Sequence, residues 1–411
     1  MLFFYFLMMF LVGQLALLIG GAHLPLSPVR AETLHLIPLL LSSLPSLLGS
    51  LLVCYLIKRF EPLHRAHTFD HQVHAVQKIH DHPVPRVGGV AIMAGLLLGL
   101  VTLCFFGSQE GVGRPYLGLL LLSALTIFLG GLAEDLTKQV SVRVRLVLAF
   151  ISAGLGAYLL QALVPSLGLP WLDRLVDGTP LMVLFTVFAV GGVTHSFNLI
   201  DGLNGLLGGF TLIVLSALLL VAYHVGDYSL FMLGLFVMMA TLGFLIFNWP
   251  GGRIFAGDGG AYLLGYLSAT LFVLLVARNP EVSPWFPLVT LGYPVFETLF
   301  SIYRRRFFQH VRHDAPDNLH LHLHLLIYRL LSAHRKEAGG VPVSNNSLSV
   351  LPIWLGVMLV TLAAAHYFAN THALMWIFLL GIVAYKLTYR ALLFLVNRVE
   401  LIGVHHPKNG D

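Results

Sequence analysis

Apolar runs of about 18 to 25 residues, broken by short polar joints, repeat along the whole chain, and as helices such runs are long enough to cross ~30 Å of hydrocarbon. Twelve stand out, at roughly 2–20, 34–57, 87–106, 116–133, 145–164, 181–198, 205–223, 229–248, 260–277, 284–302, 350–368 and 373–396. Most joints are too short to hold a domain of their own. The pattern therefore predicts an all-α polytopic integral membrane protein of about 11–12 transmembrane helices. Residues 1–33 read as an extra N-terminal span and outer loop, 34–349 as a membrane core with polar loops, and 350–411 as two last spans and a short tail. The first run, Met1 to Gly20, lacks a basic leading region and a clear small-residue cleavage site, which favours a span over a cleaved signal peptide.

Composition agrees with the pattern. With 57% hydrophobic and 10% charged residues and a mean hydropathy of +0.84, the chain is excluded from the ordinary water-soluble globules. Cys54 and Cys104 both fall inside spans, read as packing residues, and offer no disulfide framework. Charge changes the picture by giving the bundle a direction. When loops are assigned to alternate sides, one side collects 18 of the 24 Lys and Arg residues, and the other collects Arg30, Arg114, Arg174 and Arg278. Cytoplasmic loops carry such an excess, so the rich side is expected inside. The net charge of +5 follows from this topology, and nucleic acid is not called for as a partner.

Polar residues that the membrane does not explain gather in a few places. Glu61 to His80 places His64, His67, His71 and His74 along one helical face, either a metal or pH-sensitive patch or the polar stripe of an interfacial helix. His80 to Gly89 is shaped by two prolines and a glycine pair, with Arg86 a candidate phosphate contact. Glu134 and Asp135 are adjacent acids at the end of a span, either solvated and paired or able to hold Mg²⁺ or activate an attacking oxygen. Asn198, Asp201 and Asn204 recur at i, i+3 and i+6, which on a helix confines them to an arc of about 120°. Such groups inside an apolar stretch are costly without partners, so they suggest a ligand site, with hydrogen bonding between helices as the alternative.

Phe247 to Gly260, FNWPGGRIFAGDGG, sets Asp258 among glycines where a polar loop gives way to the run Ala261 to Ala277. If that run is a helix, Asp258 lies at its N-terminus, where free N–H groups and the dipole favour a phosphate. A carboxylate there can hold Mg²⁺ against phosphate oxygens; the plainer reading is a helix cap. Tyr303 to Ser349 carries Arg304, Arg305 and Arg306, read as a positive-inside anchor, and then His320, His322 and His324. The alternating histidines lack a cysteine or fourth ligand for zinc, and donors to an anionic diphosphate suit the local charge better. The loop at 80–89, Glu134 and Asp135, the Asn198 to Asn204 group, Asp258 and the histidine loop all fall on the cation-rich side.

The segments PVPRVGG, the acid pair at 134 and 135, NLIDGLNGL, FNWPGGRIFAGDGG and PDNLHLH together resemble the polyprenyl-phosphate N-acetylhexosamine-1-phosphate transferases, from about residue 34 to 330. The resemblance implies a bacterial inner-membrane enzyme with ten or eleven spans, a Mg²⁺-dependent cytoplasmic site in which Mn²⁺ substitutes, and often a homodimer. It implies UDP-N-acetylhexosamine as donor and undecaprenyl phosphate as acceptor, beginning a cell-envelope glycan such as the O-antigen of lipopolysaccharide. Asp258 matches the family's metal aspartate, Asn248 and Phe255 its nucleotide side, Asn198 and Asp201 its Asn-x-x-Asp-Gly pattern, and Asp135 the second acid of its pair. Three positions depart from the family: Glu134 replaces Asp, Asn204 replaces a further Asp, and the histidines read His-Leu-His-Leu-His. The functional pair is therefore either His320 with His322 or His322 with His324. Asp135 is either a base or a group that positions metal or acceptor. The segment from Gln309 to Leu325 is expected to select the sugar. Two other classes fit parts of the pattern: a transporter, which predicts polar groups near the midplane and on both sides, and an idle homologue serving as an assembly partner.

Overall fold

The structure, a computed structural model, describes residues 33–68, 84–106, 113–176, 180–308, 321–337 and 342–404. Every regular element among them is a helix. In chain order these are α1 (Thr33–Arg59), α2 (Glu61–Thr68), α3 (Gly88–Phe106), α4 (Gly113–Thr137), α5 (Val142–Leu159), α6 (Pro170–Val176), α7 (Pro180–Leu199) and α8 (Leu206–His224). There follow α9 (Tyr228–Asn248), α10 (Gly257–Arg278), α11 (Trp285–Thr290), α12 (Gly292–Phe308), α13 (Leu323–Glu337), α14 (Pro342–Leu348), α15 (Leu351–His366) and α16 (Thr371–Val404). Among the described residues ten helical stretches are long and apolar enough to span a membrane.

The expected span at 284–302 is not one of them. It breaks at Leu291 into two shorter helices, α11 and α12. Pro294 has no N–H to offer the carbonyl of Thr290, and Gly292 relaxes the backbone at the joint, which together weaken the helix there. The run 2–20, His71, His74 and the side chain of His67 lie outside the described residues. His64 turns both ring nitrogens to local partners, Thr68 Oγ1 at 2.7 Å and the carbonyl of Ile57 at 2.8 Å, which ties α2 to the end of α1 and leaves the metal-patch reading without support there.

The bundle is built round α10. Its residues are apolar on every side and it is buried along nearly its whole length, as expected of a helix with no polar face to give to water. It is enclosed by α3, α4, α5, α7, α8 and α9. At its N-terminus the enclosure is backbone to backbone. A Cβ on Gly131 of α4 would stand 2.6 Å from the nitrogen of Gly259, and one on Gly89 of α3 would stand 2.6 Å from Cα of Gly260. Small residues at such crossings let helices approach where lipid provides no hydrophobic drive. Gly131→Val is accordingly expected to lower the melting temperature and the yield of monodisperse protein, because both neighbours of the added methyls are main chain; overpacking of this kind costs about 1–3 kcal/mol or more. A melting curve matching wild type would contradict this packing.

Candidate active site

The polar clusters meet at the end of the bundle where α4, α7 and α9 finish and α3, α5, α8 and α10 begin. Two loops are hydrogen-bonded edge to edge there. Phe255 N–H donates to the carbonyl of Pro85 at 2.9 Å, Gly88 N–H to the carbonyl of Phe255 at 2.8 Å, and Gly89 N–H to the carbonyl of Ala256 at 2.9 Å. This places Arg86 beside the start of α10. Gly257 then turns into the helix with φ of +70°, and its Cα lies so close to Asp135 that a Cβ would be 2.5 Å from Oδ2.

Asp135, in the last turn of α4 and 2% exposed, accepts from the N–H of Asp258 at 2.9 Å and of Gly259 at 2.8 Å. It caps α10 from another helix, satisfying two of the donors that every helix start leaves free. Glu134 faces the other way, where Oε2 accepts from Val140 N–H at 2.7 Å and closes the turn into α5.

With its backbone held by Asp135, Asp258 has its carboxylate free for cations. It forms an ion pair with Arg145 from the first turn of α5 and lies 3.9 Å from Arg86 Nη2. Arg145 also sits 5.9 Å above the ring of Tyr262, whose hydroxyl accepts from Asn198 Nδ2 at 3.0 Å. Asn198, Tyr262, Arg145, Asp258 and Arg86 thus form one continuous polar chain across three helices and a loop. Sequence reading passed over Arg145 because one cation among several after a span looks like an anchor.

Asn198, Asp201 and Asn204 do not share a helical face as their spacing suggested. Helix α7 ends at Leu199 and residues 200–205 form turns, with Gly202 in the bend and Gly205 at φ of +85°. Asp201 is half-buried, and burial pushes its carboxyl up to about 6 while Arg86 draws it down. Gly202 brings the histidines to the same place, because a Cβ there would be 2.8 Å from Nε2 of His324. His322 and His324 stack in parallel with ring centroids 5.5 Å apart, so of the two pairings the structure describes this one; His320 lies outside the described residues, as does most of 309–325. His324 is 1% exposed with Nδ1 3.5 Å from Tyr293 Oη.

Burial pushes His324 down to about 4 from an ordinary 6.5, against the pull of Glu297 and with His322 adding to the fall. The folded protein therefore keeps this ring neutral while the unfolded chain protonates it first. Its contribution to stability is complete above pH 6.5 and is lost as pH falls towards 4. Melting temperature is expected to drop over that window, and to drop less steeply in His324→Gln; equal slopes would contradict the neutral buried ring.

Asn204 and Asn248 hold loops together. Asn248 Oδ1 accepts from Gly205 N–H at 2.7 Å and Nδ2 donates to the carbonyl of Ile254 at 2.9 Å. Asn204 donates from Nδ2 to the carbonyl of Pro250 at 3.3 Å, and its N–H donates to Oδ1 of Asn346 at 2.8 Å. The short buried helix α14, which sequence reading left as loop, therefore buttresses this corner; Ser347 accepts from Trp249 Nε1 at 3.1 Å. An acid at 204 cannot donate to Pro250. Restoring the family's residue, Asn204→Asp, is expected to lower the melting temperature by a few degrees and to reduce activity, since a buried carboxylate would face a carbonyl. Improved activity would contradict this placement. Phe255, in one of the two paired loops, is half-buried.

The chain is similar to known proteins. Residues 117–276 match the family model described as glycosyl transferase family 4, a stretch that holds Asp135, Arg145, Asn198, Asp201, Asn204, Asn248, Phe255 and Asp258. A "probable undecaprenyl-phosphate N-acetylglucosaminyl 1-phosphate transferase" of Bacillus subtilis (strain 168) is 30% identical over 299 residues, 69% of this chain and 78% of that protein. An "undecaprenyl-phosphate alpha-N-acetylglucosaminyl 1-phosphate transferase" of Salmonella typhi is 28% identical over 307 residues, 70% of this chain and 79% of that one. Its namesake in Escherichia coli (strain K12) is 27% identical over 262 residues, 61% and 67% of the two chains. The ten spans, the capped and buried start of α10 and this breadth of similarity place the chain in glycosyl transferase family 4, the polyprenyl-phosphate N-acetylhexosamine-1-phosphate transferases.

Proposed function

We propose that the protein transfers an N-acetylhexosamine-1-phosphate from a UDP-sugar to undecaprenyl phosphate, releases UMP, and so begins a lipid-linked envelope glycan such as an O-antigen. The observation that carries the reading is the start of α10. A nearly buried carboxylate there, Asp258, is set between Arg86 and Arg145 by a second carboxylate, Asp135, that is committed to the backbone. The cation excess at this end supports a cytoplasmic face of the bacterial inner membrane.

An oxygen of the lipid phosphate attacks the phosphorus that bears the sugar, a new P–O bond forms, and the bond to UMP breaks with its electron pair leaving on UMP. The attacking oxygen is already ionised at neutral pH, so the protein's work is positioning and neutralising charge. Arg86 and Arg145 bring positive charge to the diphosphate; Asn198 and Tyr262 hold Arg145 in line; Phe255 offers a ring for the uracil. Asp258 would hold Mg²⁺, or Mn²⁺ in its place. A hard cation of this kind takes one or two carboxylates and completes its shell with substrate oxygens and water. When bound, the ion supplies charge neutralisation to the diphosphate oxygens.

The test is formation of radiolabelled lipid from a panel of UDP-N-acetylhexosamines labelled in the sugar phosphate. Label in the lipid from one donor supports the reading and names the sugar; we expect a plain or deoxy N-acetylhexosamine. No labelled lipid from folded protein across the panel contradicts it and favours an idle homologue. A transporter reading has less support, since the described candidate clusters gather at one end.

A further inference from the structure

One buried acid has no place in the site described above. Glu297 is 0% exposed in α12, yet both its oxygens are used: Oε2 lies 3.0 Å from Nδ1 of His322, and Oε1 accepts from the N–H of Leu323 at 3.0 Å. The same stripe of α12 continues at helical spacing. One turn before, Tyr293 faces His324, and two turns after, Arg304 donates to the carbonyl of Leu321 at 2.6 Å. Arg304 is 6% exposed, is bonded to Tyr389 Oη of α16 at 2.5 Å, and lies 5.1 Å above Phe300. It was expected to be a membrane anchor from its place in an arginine triplet, but a guanidinium so enclosed does not serve lipid headgroups. Residues 293, 297 and 304 therefore grip four consecutive residues, 321–324, by one ring, two main-chain groups and a second ring.

Resting on the reading above that this histidine strap serves the sugar diphosphate, we propose that Glu297 and Arg304 are positioning residues, with Glu297 fixing the proton of His322 on Nδ1 and thereby leaving Nε2 as the ring nitrogen for the reaction. A carboxylate can accept from Nδ1–H but cannot donate to it, so the tautomer with the proton on Nε2 alone would bring two acceptors together. Second partners of this kind orient a functional imidazole. His324, closed between Tyr293 and Gly202, is by contrast a packing ring. Of the two histidines described, this leaves His322 as the one with a ring nitrogen for substrate, and Arg304 as the residue that sets the strap's register.

Glu297→Gln keeps the volume and changes the chemistry. Its one amide oxygen can satisfy Leu323 N–H, and its NH₂ then faces Nδ1, which must become an acceptor. The first readout needs no activity. In protein labelled with ¹⁵N-histidine in nanodiscs at pH 8, the signals lost in His322→Gln identify His322. We expect Nδ1 protonated in the wild type and deprotonated in Glu297→Gln; the same state of Nδ1 in both overturns the proposal. The second readout is kinetic. Glu297→Gln should lower kcat about 10–100-fold with a donor KM within about threefold, and should cost nothing further in a His322→Gln background. Losses that simply multiply in the double variant overturn the proposal. Glu297→Asp, which keeps the charge, should retain Nδ1 protonation and more activity than Gln, and it provides the comparison if Gln does not accumulate. A wild-type protein that makes no lipid product bears on the proposed function, whereas the nitrogen spectrum decides the role of Glu297 by itself.

Discussion

Asp258→Ala is expected to reduce UMP release by on the order of 10³-fold or more while the protein still accumulates in the membrane. Nothing in α10 depends on this side chain for its fold, because the helix start is capped by Asp135 and gripped by Gly89 and Gly131. The carboxylate faces only cations, Arg145 and Arg86. Its loss removes the group proposed to hold the metal and leaves Arg145, with a side chain 11% exposed, without its counter-charge. Breaking a buried pair can cost about 3–5 kcal/mol, so some loss of melting temperature is expected too. The double variant Asp258→Ala with Arg145→Ala separates the effects. It should recover much of the stability, since no charge is left unpaired, and none of the turnover. Turnover near wild type in Asp258→Ala would remove the carboxylate from the reaction altogether.

Asp135→Ala is expected to injure stability and activity together. Two N–H groups at the first turn of α10 would lose their acceptor in a place that water scarcely reaches, at about 1–3 kcal/mol for each unsatisfied donor. The helix start that presents Asp258 would loosen with them, and a displacement of about 1 Å can cost 10²-fold in rate. Asp135→Asn keeps one acceptor oxygen and should fall between Ala and wild type in both measures. A general base behaves differently: Asn would then be as stable as wild type and as inactive as Ala. Measuring the melting temperature and UMP release of both variants distinguishes the cap from the base, and the geometry favours the cap, since both carboxylate oxygens already accept from the backbone.

Much of this was legible in the sequence because the membrane simplifies it. An apolar run of sufficient length has to be a helix, and a carboxylate among glycines just before such a run has to lie near a helix start, so the sequence alone locates Asp258 at the start of α10. The gathering of clusters at one end was legible from the cation count. What could not be read were partners made by folding. Asp135 meets the backbone of Asp258 and Gly259 more than 120 residues away, and no local pattern records that a carboxylate will be used as a cap. Arg145 and Arg304 looked like anchors because composition cannot distinguish an exposed cation from an enclosed one. The face assigned to Asn198, Asp201 and Asn204 failed because two glycines end the helix that the spacing assumed. Glu297 did leave a signal: it is the lone acid in the run 284–302, and an acid inside such a run has a partner or a function.

The central claim is that the start of α10 is a phosphoryl-transfer site completed by a divalent cation. The most direct test is UMP release by purified protein in detergent, with undecaprenyl phosphate and a panel of UDP-N-acetylhexosamines, in Mg²⁺ and again in EDTA. The account predicts release with a single donor class that requires both the lipid and the metal, returns when Mg²⁺ is restored, and is absent from Asp258→Ala. Release that persists in EDTA, or that Asp258→Ala retains, would contradict it.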